Sequence, residues 1–222
     1  MKLYYEPAAI TCRPILMLLT EHDLDIQMEP LSLHNGDHLA DAYVALNPHR
    51  TVPLLVDGDF KLTQSSAILK FLADKAGSPL YPTDLAQRAQ VNAAMDWLVA
   101  DLYPHFGQSF IYPQILPNYR RPTPEAQASA LAWGLERVRE RLALLETHML
   151  GPDRDYLCGD AVSIADYLGA SIVTAGEWVG FDYSPYPNVR RWLEAVCTRP
   201  GWAQINAAFA GMSAALRSQR AA

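Results

Sequence analysis

The chain has 222 residues, half of them apolar and 19% charged, and carries a formal net charge of −6. That length suits one large domain or two small ones, and it can bury a core without disulfide or metal staples. The acidic balance lacks the electrostatic footprint of a nucleic-acid binder, and no run reaches the roughly 20 apolar residues that a membrane span needs.

In chain order, Leu3–Tyr5 is a short β-type run ended by Pro7. Cys12–Thr20 carries Ile15, Leu16, Leu18 and Leu19 at helical spacing, with Thr11 as the expected N-cap and Pro14 in the first turn. Ile26–Leu31 reads as a second strand, and Leu39–Leu46 as a short helix stopped by Asn47-Pro48. Val52–Val56 and Phe60–Leu62 flank Asp57-Gly58-Asp59, a hairpin signal. Ser65–Ala76 is a helix with Gly77 at its C-cap. The order β-α-β-α-β-β-α is the one a thioredoxin-like domain requires.

A proline-bearing stretch, Ser78-Pro79-Leu80-Tyr81-Pro82-Thr83, follows, and beyond it the β signals vanish. Leu85–Tyr103 reads as a long helix. Leu131, Leu135, Val138, Leu142, Leu145 and Met149 form one apolar seam on a second. Ser163-Ile164-Ala165-Asp166 has the pattern of a capping box, and Tyr167–Val179 is apolar nearly all round, which predicts central burial. Val189–Thr198 and Trp202–Phe209 close the chain as shorter helices. The expected organisation is an α/β thioredoxin-like domain over residues 1–77, a linker over 78–84 and an all-α domain over 85–222.

Cys12, Cys158 and Cys197 are odd in number and far apart, so they predict neither a disulfide framework nor a zinc site. His34 and His38 are four apart, but Gly36 lies between them and no third ligand is near, so no metal is expected. Residues Met1–Tyr5 begin no apolar run of signal-peptide length, and the expectation is a soluble cytoplasmic protein.

Two segments carry the chemistry: Asn47-Pro48-His49-Arg50-Thr51-Val52-Pro53 and Leu62-Thr63-Gln64-Ser65-Ser66-Ala67-Ile68-Leu69. A peptide-like ligand needs main-chain partners, and a strand edge such as Val52 offers an N–H and a C=O from one residue. Ser65 and Gln64 open a helix, whose unpaired N–H groups and positive dipole end bind a carboxylate. Arg50 and His38 suit a second carboxylate. A ligand with a carboxylate at each end and a peptide middle describes glutathione.

These motifs, together with Asp160-Ala161-Val162-Ser163-Ile164-Ala165-Asp166, closely resemble the cytosolic glutathione transferase superfamily over essentially the whole chain. Gly36-Asp37-His38-Leu39 and Asp57-Gly58-Asp59-Phe60 look theta- or delta-like, and Lys2-Leu3-Tyr4-Tyr5 looks like the bacterial beta type. The resemblance implies conjugation of glutathione to small hydrophobic electrophiles by a homodimer, and it also admits dehalogenation, peroxide reduction or disulfide exchange. It implies glutathione contacts at Thr11, His38, Arg50, Thr51, Val52, Pro53, Gln64 and Ser65. The electrophile is expected against Ile10, Tyr103, Phe106, Phe110 and Tyr112.

One position departs from the family. Where relatives carry an activating serine, or a cysteine one place later, this chain has Ala9 and Ile10. A thiol of pKa about 8.5 must drop about two units to ionise at neutral pH, which takes roughly 2.7 kcal/mol of preference for the thiolate. A hydroxyl donor to a charged acceptor supplies about 1.5–3 kcal/mol, and a helix N-terminus adds about 0.3–1 kcal/mol. The candidate catalytic hydroxyls are Thr11 and Tyr5; backbone N–H groups around Ile10 and Thr11 are the alternative. A non-catalytic glutathione-binding module with the same fold is the competing reading.

Overall fold

In the computed structural model, which describes residues 1–221, four short strands form one mixed sheet in the order β2-β1-β3-β4. β1 (Lys2–Tyr5) runs parallel to β2 (Gln27–Pro30), with Leu3 opposite Met28. β3 (Leu54–Asp57) is antiparallel to β1 and to β4 (Phe60–Thr63), closing the expected hairpin. Val52 and Pro53, expected at the head of β3, stand outside the ladder, and the peptide bond between them is cis. Pro53 has no N–H to contribute to a ladder. Helices α1 (Arg13–Glu21) and α3 (Ser65–Lys75) place Ile15, Leu18, Ile68, Leu69 and Leu72 in the core, all fully buried. A single turn of 3-10 helix (Asp37–Leu39) precedes α2 (Asp41–Leu46), so the helix expected from Leu39 is broken at Ala40.

The rest of the chain is helical. α4 (Leu85–Trp97) starts on Asp84, whose carboxylate accepts the N–H groups of Ala86 and Gln87. It then widens into π-helix over Leu98–Leu102 and again over Pro104–Ile111 before α5 (Tyr112–Ile115). Pro104 lacks an N–H and its ring crowds the carbonyl one turn back, and wider winding relieves that clash. α6 (Pro124–Leu144) buries Val138 and Leu142 of the predicted seam, and a π-helical extension (Leu145–Leu150) buries Leu145.

α7 (Ile164–Thr174) is buried at every position, as its composition predicts, and ends in a 3-10 turn over Ala175–Val179. Ser163 and Asp166 form the capping box at its start. α8 (Pro187–Cys197) packs on α7, α9 (Trp202–Ile205) lies against α1 and α8, and α10 (Ala207–Ala221) packs on the 3-10 turn. The architecture is a thioredoxin-like α/β layer followed by an all-helical bundle, with α1 and α7 in contact between them.

Candidate glutathione site

The loop between β1 and α1 meets the start of α3. α1 begins at Arg13 with Cys12 as its N-cap, and no side chain caps it. The expectation that Thr11 caps this helix is therefore wrong. Its hydroxyl instead donates to the Val52 carbonyl at 3.1 Å, across 41 residues of sequence. The Ser65 hydroxyl donates to the Thr11 carbonyl, so the residues at 11, 52 and 65 form one chain of contacts. The N–H groups of Ile10, Thr11 and Val52 donate to no acceptor among the described residues.

Gln64 enters α3 with φ 73° and ψ 120°, and no side chain caps that helix either. A non-glycine residue held in that region costs of order 1–3 kcal/mol, a kind of strain that clusters at binding sites. Arg50 is also held left-handed, at φ 55°. Its loop is fixed from behind: the Thr51 carbonyl accepts the Tyr43 hydroxyl at 2.6 Å and the Asn47 amide at 2.8 Å. Both acceptor positions of that carbonyl are thereby used, so Thr51 offers a ligand its N–H and side chain only. Asn47 also accepts the His49 N–H at 3.2 Å. Sequence patterning treats Asn47 as a helix stop and says nothing of Tyr43; their partner lies beyond the helix end, and only the fold brings them to it.

Ile10, Thr11, Gln64, Ser65 and Ser66 form one wall of a cleft of about 70 Å³, and Val99, Tyr103, Leu168 and Ile172 form the other. The cleft lies between the α/β layer and the helical bundle. Val99, Leu168 and Ile172 are absent from the expected set; Leu168 and Ile172 lie on α7, and a helix that is apolar all round gives no sign of which face meets a ligand. Of the predicted electrophile contacts, Ile10 and Tyr103 line the cleft. Phe106 does not: it is fully buried, its ring against Phe110 and Phe181 at 6.4 and 5.3 Å. Phe110 packs in the same aromatic cluster, and Tyr112 stands behind Tyr103 with their hydroxyl oxygens 2.7 Å apart.

Tyr5 does not line the cleft either. It ends β1, where its carbonyl accepts the Leu31 N–H at 2.7 Å, and its ring packs on the apolar core. His38 lies in the 3-10 turn, and its Nδ1 is buried with no partner among the described residues. Arg50 is exposed. Cys12 is fully buried, and burial pushes its thiol up to about 12, which leaves it a packing residue at neutral pH.

Family models for the glutathione S-transferase N-terminal and C-terminal domains match residues 3–80 and 95–200. Glutathione S-transferase D7 of Drosophila melanogaster is 32% identical over 206 residues, covering 91% of this chain and 87% of the relative. Among solved structures, a delta-class glutathione transferase from Nilaparvata lugens superposes with a TM-score of 0.80 at 29% identity, covering 98% of both chains. Human glutathione S-transferase T1-1 superposes at 0.81 with 27% identity, covering 94% of this chain and 88% of that one. The cleft lined by Thr11 and Ser65, beside the Thr11–Val52 contact, thus lies in a fold shared over most of each chain with these proteins, and the chain belongs to the glutathione S-transferase superfamily.

Proposed function

We propose that this enzyme joins the sulfur of glutathione to small apolar electrophiles, with Thr11 as the group that holds the sulfur as a thiolate. The observation that carries the reading is the hydroxyl of Thr11 at the cleft wall, between the Val52 edge and the α3 N-terminus. Rotation about one side-chain bond frees that hydroxyl from the Val52 carbonyl, and the N–H groups of Ile10 and Thr11 stand beside it without partners among the described residues. A hydroxyl and two amides directed at one sulfur supply the roughly 2.7 kcal/mol that a two-unit drop in thiol pKa requires.

In this reading the peptide middle of glutathione pairs with Val52, and Pro53 keeps that edge clear of the ladder. One carboxylate lies at the uncapped start of α3, at Gln64 and Ser65, and the other is met by Arg50 and His38. The linker at 78–84 separates the glutathione-binding domain (1–77) from the helical domain (85–222) that supplies the electrophile wall. The enzyme acts as a homodimer in the cytoplasm. Three free cysteines support that compartment, and exposed Phe60 (46% accessible), packed on Phe71, supports a partner subunit over the β3–β4 turn. No helix among the described residues is long and apolar enough to cross a membrane.

The test is the pH dependence of kcat/KM for a general aryl halide. A donor to the thiolate favours the charged form, so its loss raises the pKa of the bound thiol. Thr11→Ala is expected to move the acid limb of the profile upward by at least one unit and to lower kcat/KM at pH 6.5 about fivefold or more. Tyr5→Phe is expected to stay within twofold of wild type. An acid limb that stays put in Thr11→Ala removes Thr11 from the role and leaves the amides of Ile10 and Thr11 as the donors.

A further inference from the structure

Tyr43 reaches from α2 to a carbonyl that stands between two of the expected glutathione contacts. Its hydroxyl donates to the Thr51 carbonyl at 2.6 Å, with Arg50 on one side of that residue and Val52 on the other. The ring is buried, set edge-on to Tyr4 at 5.6 Å and clustered with Cys12, Val52 and Leu54. Burial pushes the phenol above its ordinary range, so the hydroxyl keeps its proton and stays a donor.

The two neighbours of Thr51 are held unequally. Val52 is buried in the same cluster, its carbonyl takes the Thr11 hydroxyl, and β3 begins two residues on. Arg50 is exposed and left-handed, and its backbone N–H donates to the Asn47 carbonyl at 3.0 Å. Its guanidinium has no hydrogen bond or ion pair among the described residues. Slack at Thr51 therefore falls on Arg50. Strand pairing tells which end of glutathione lies there. A residue that exchanges both its N–H and its C=O bond with one partner belongs to an antiparallel pair. With the cysteine of glutathione paired to Val52 in this way, the ligand runs opposite to residues 50–52 and its glycine lies beside Arg50. The γ-glutamyl end then points towards α3, which follows Thr63, the residue opposite Leu54.

We propose that Tyr43 is a positioning residue for the glycine end of glutathione: through the Thr51 carbonyl it holds Arg50 against the glycine carboxylate, and so makes the enzyme select the tripeptide over γ-glutamylcysteine. This rests on the transferase reading above and deepens its glutathione site. Asn47 holds the same carbonyl at 2.8 Å, so loss of the Tyr43 hydroxyl loosens the loop without freeing it. The dipeptide keeps both bonds to Val52, but its chain ends one residue short of Arg50.

The experiment is titration calorimetry with glutathione and with γ-glutamylcysteine, on wild type, Tyr43→Phe and Tyr4→Phe. Tyr4→Phe takes the hydroxyl from the ring that Tyr43 packs on and leaves the Thr51 carbonyl as it is. Wild type is expected to bind glutathione about tenfold more tightly than the dipeptide, or better, since the Arg50 contact is charge-assisted. In Tyr43→Phe that preference is expected to shrink about three- to tenfold, the range for one lost hydrogen bond, with Kd for the dipeptide within about twofold of wild type. The kcat for a general aryl halide at saturating glutathione is expected to stay within about twofold, which places the loss in binding. Tyr4→Phe is expected to keep the full preference. An unchanged preference in Tyr43→Phe overturns the proposal. So does an equal weakening of both thiols, which would make Tyr43 a support of the fold alone. A wild type that binds glutathione without turning over the aryl halide overturns the transferase reading and leaves the preference to decide this proposal. A wild type that binds no glutathione overturns both.

Discussion

Asp166 gathers four hydrogen bonds on one fully buried carboxylate. Its Oδ1 accepts the Leu157 N–H and the Trp192 indole N–H, both at 2.9 Å; its Oδ2 accepts the Ser163 N–H at 2.8 Å and the Ser163 hydroxyl at 2.9 Å. Removing it strands three buried N–H donors from three separate segments, and each stranded donor costs about 1–3 kcal/mol. Asp166→Ala is expected to destabilise the fold by about 3 kcal/mol or more in urea unfolding, with the loss centred on α7. A loss under about 1 kcal/mol would mean that water replaces the carboxylate. This residue was legible in the sequence, because Ser163 and Asp166 sit three apart and a capping box is a local pattern. Thr11 was misread as an N-cap for the opposite reason. Its actual acceptor, the Val52 carbonyl, is local only in space. The Phe106 ring was misplaced likewise, since an aromatic cluster in a sequence does not say which ring faces a ligand and which faces Phe181.

Between elements, a neighbouring backbone comes close at Gly134 on α6. A Cβ there would meet the Ser109 carbonyl oxygen at 2.8 Å, and that oxygen is backbone in the π-helical stretch Pro104–Ile111. Backbone cannot rotate away as a side chain can, so the two segments must separate. Gly134→Ala gains helix propensity of about 0.8–1.0 kcal/mol and loses about 1–3 kcal/mol to overpacking. A net loss of about 1 kcal/mol is expected in thermal or urea unfolding, together with weaker turnover, because the displaced stretch follows directly on Tyr103. A variant more stable than wild type would show that the stretch yields without cost. The apolar period of α6 was readable, yet this contact was not: a seam records which face is buried, not how close the neighbouring backbone comes.

Across the whole molecule, the α/β layer and the helical bundle are joined by α1. At its C-terminal end Glu21 accepts Arg199 Nη2 at 2.8 Å and the Tyr167 hydroxyl, while Arg199 Nε donates to the Tyr167 oxygen at 2.7 Å. At its N-terminal end the fully buried Arg13 donates to the Asn206 side-chain oxygen, the Ser171 carbonyl at 3.1 Å and Thr174 Oγ1 at 2.8 Å. Its guanidinium carbon also lies 3.7 Å from the centre of the Phe209 ring. Every acceptor is neutral, and burial pushes the guanidinium down to about 9. Charge alone thus gains little at this position, and the stabilisation must come from a planar fork that reaches three acceptors while stacking on a ring. Arg13→Lys keeps a cation but has neither fork nor plane, so it should cost nearly as much as Arg13→Ala, about 3 kcal/mol each in urea unfolding. Arg13 lies two residues after Thr11, so both variants should also weaken turnover by letting the Ile10–Thr11 loop drift from Val52. If Arg13→Lys unfolds within about 1 kcal/mol of wild type, the cation and not the fork holds the two halves together, and the neutral acceptors must then gather around a single ammonium.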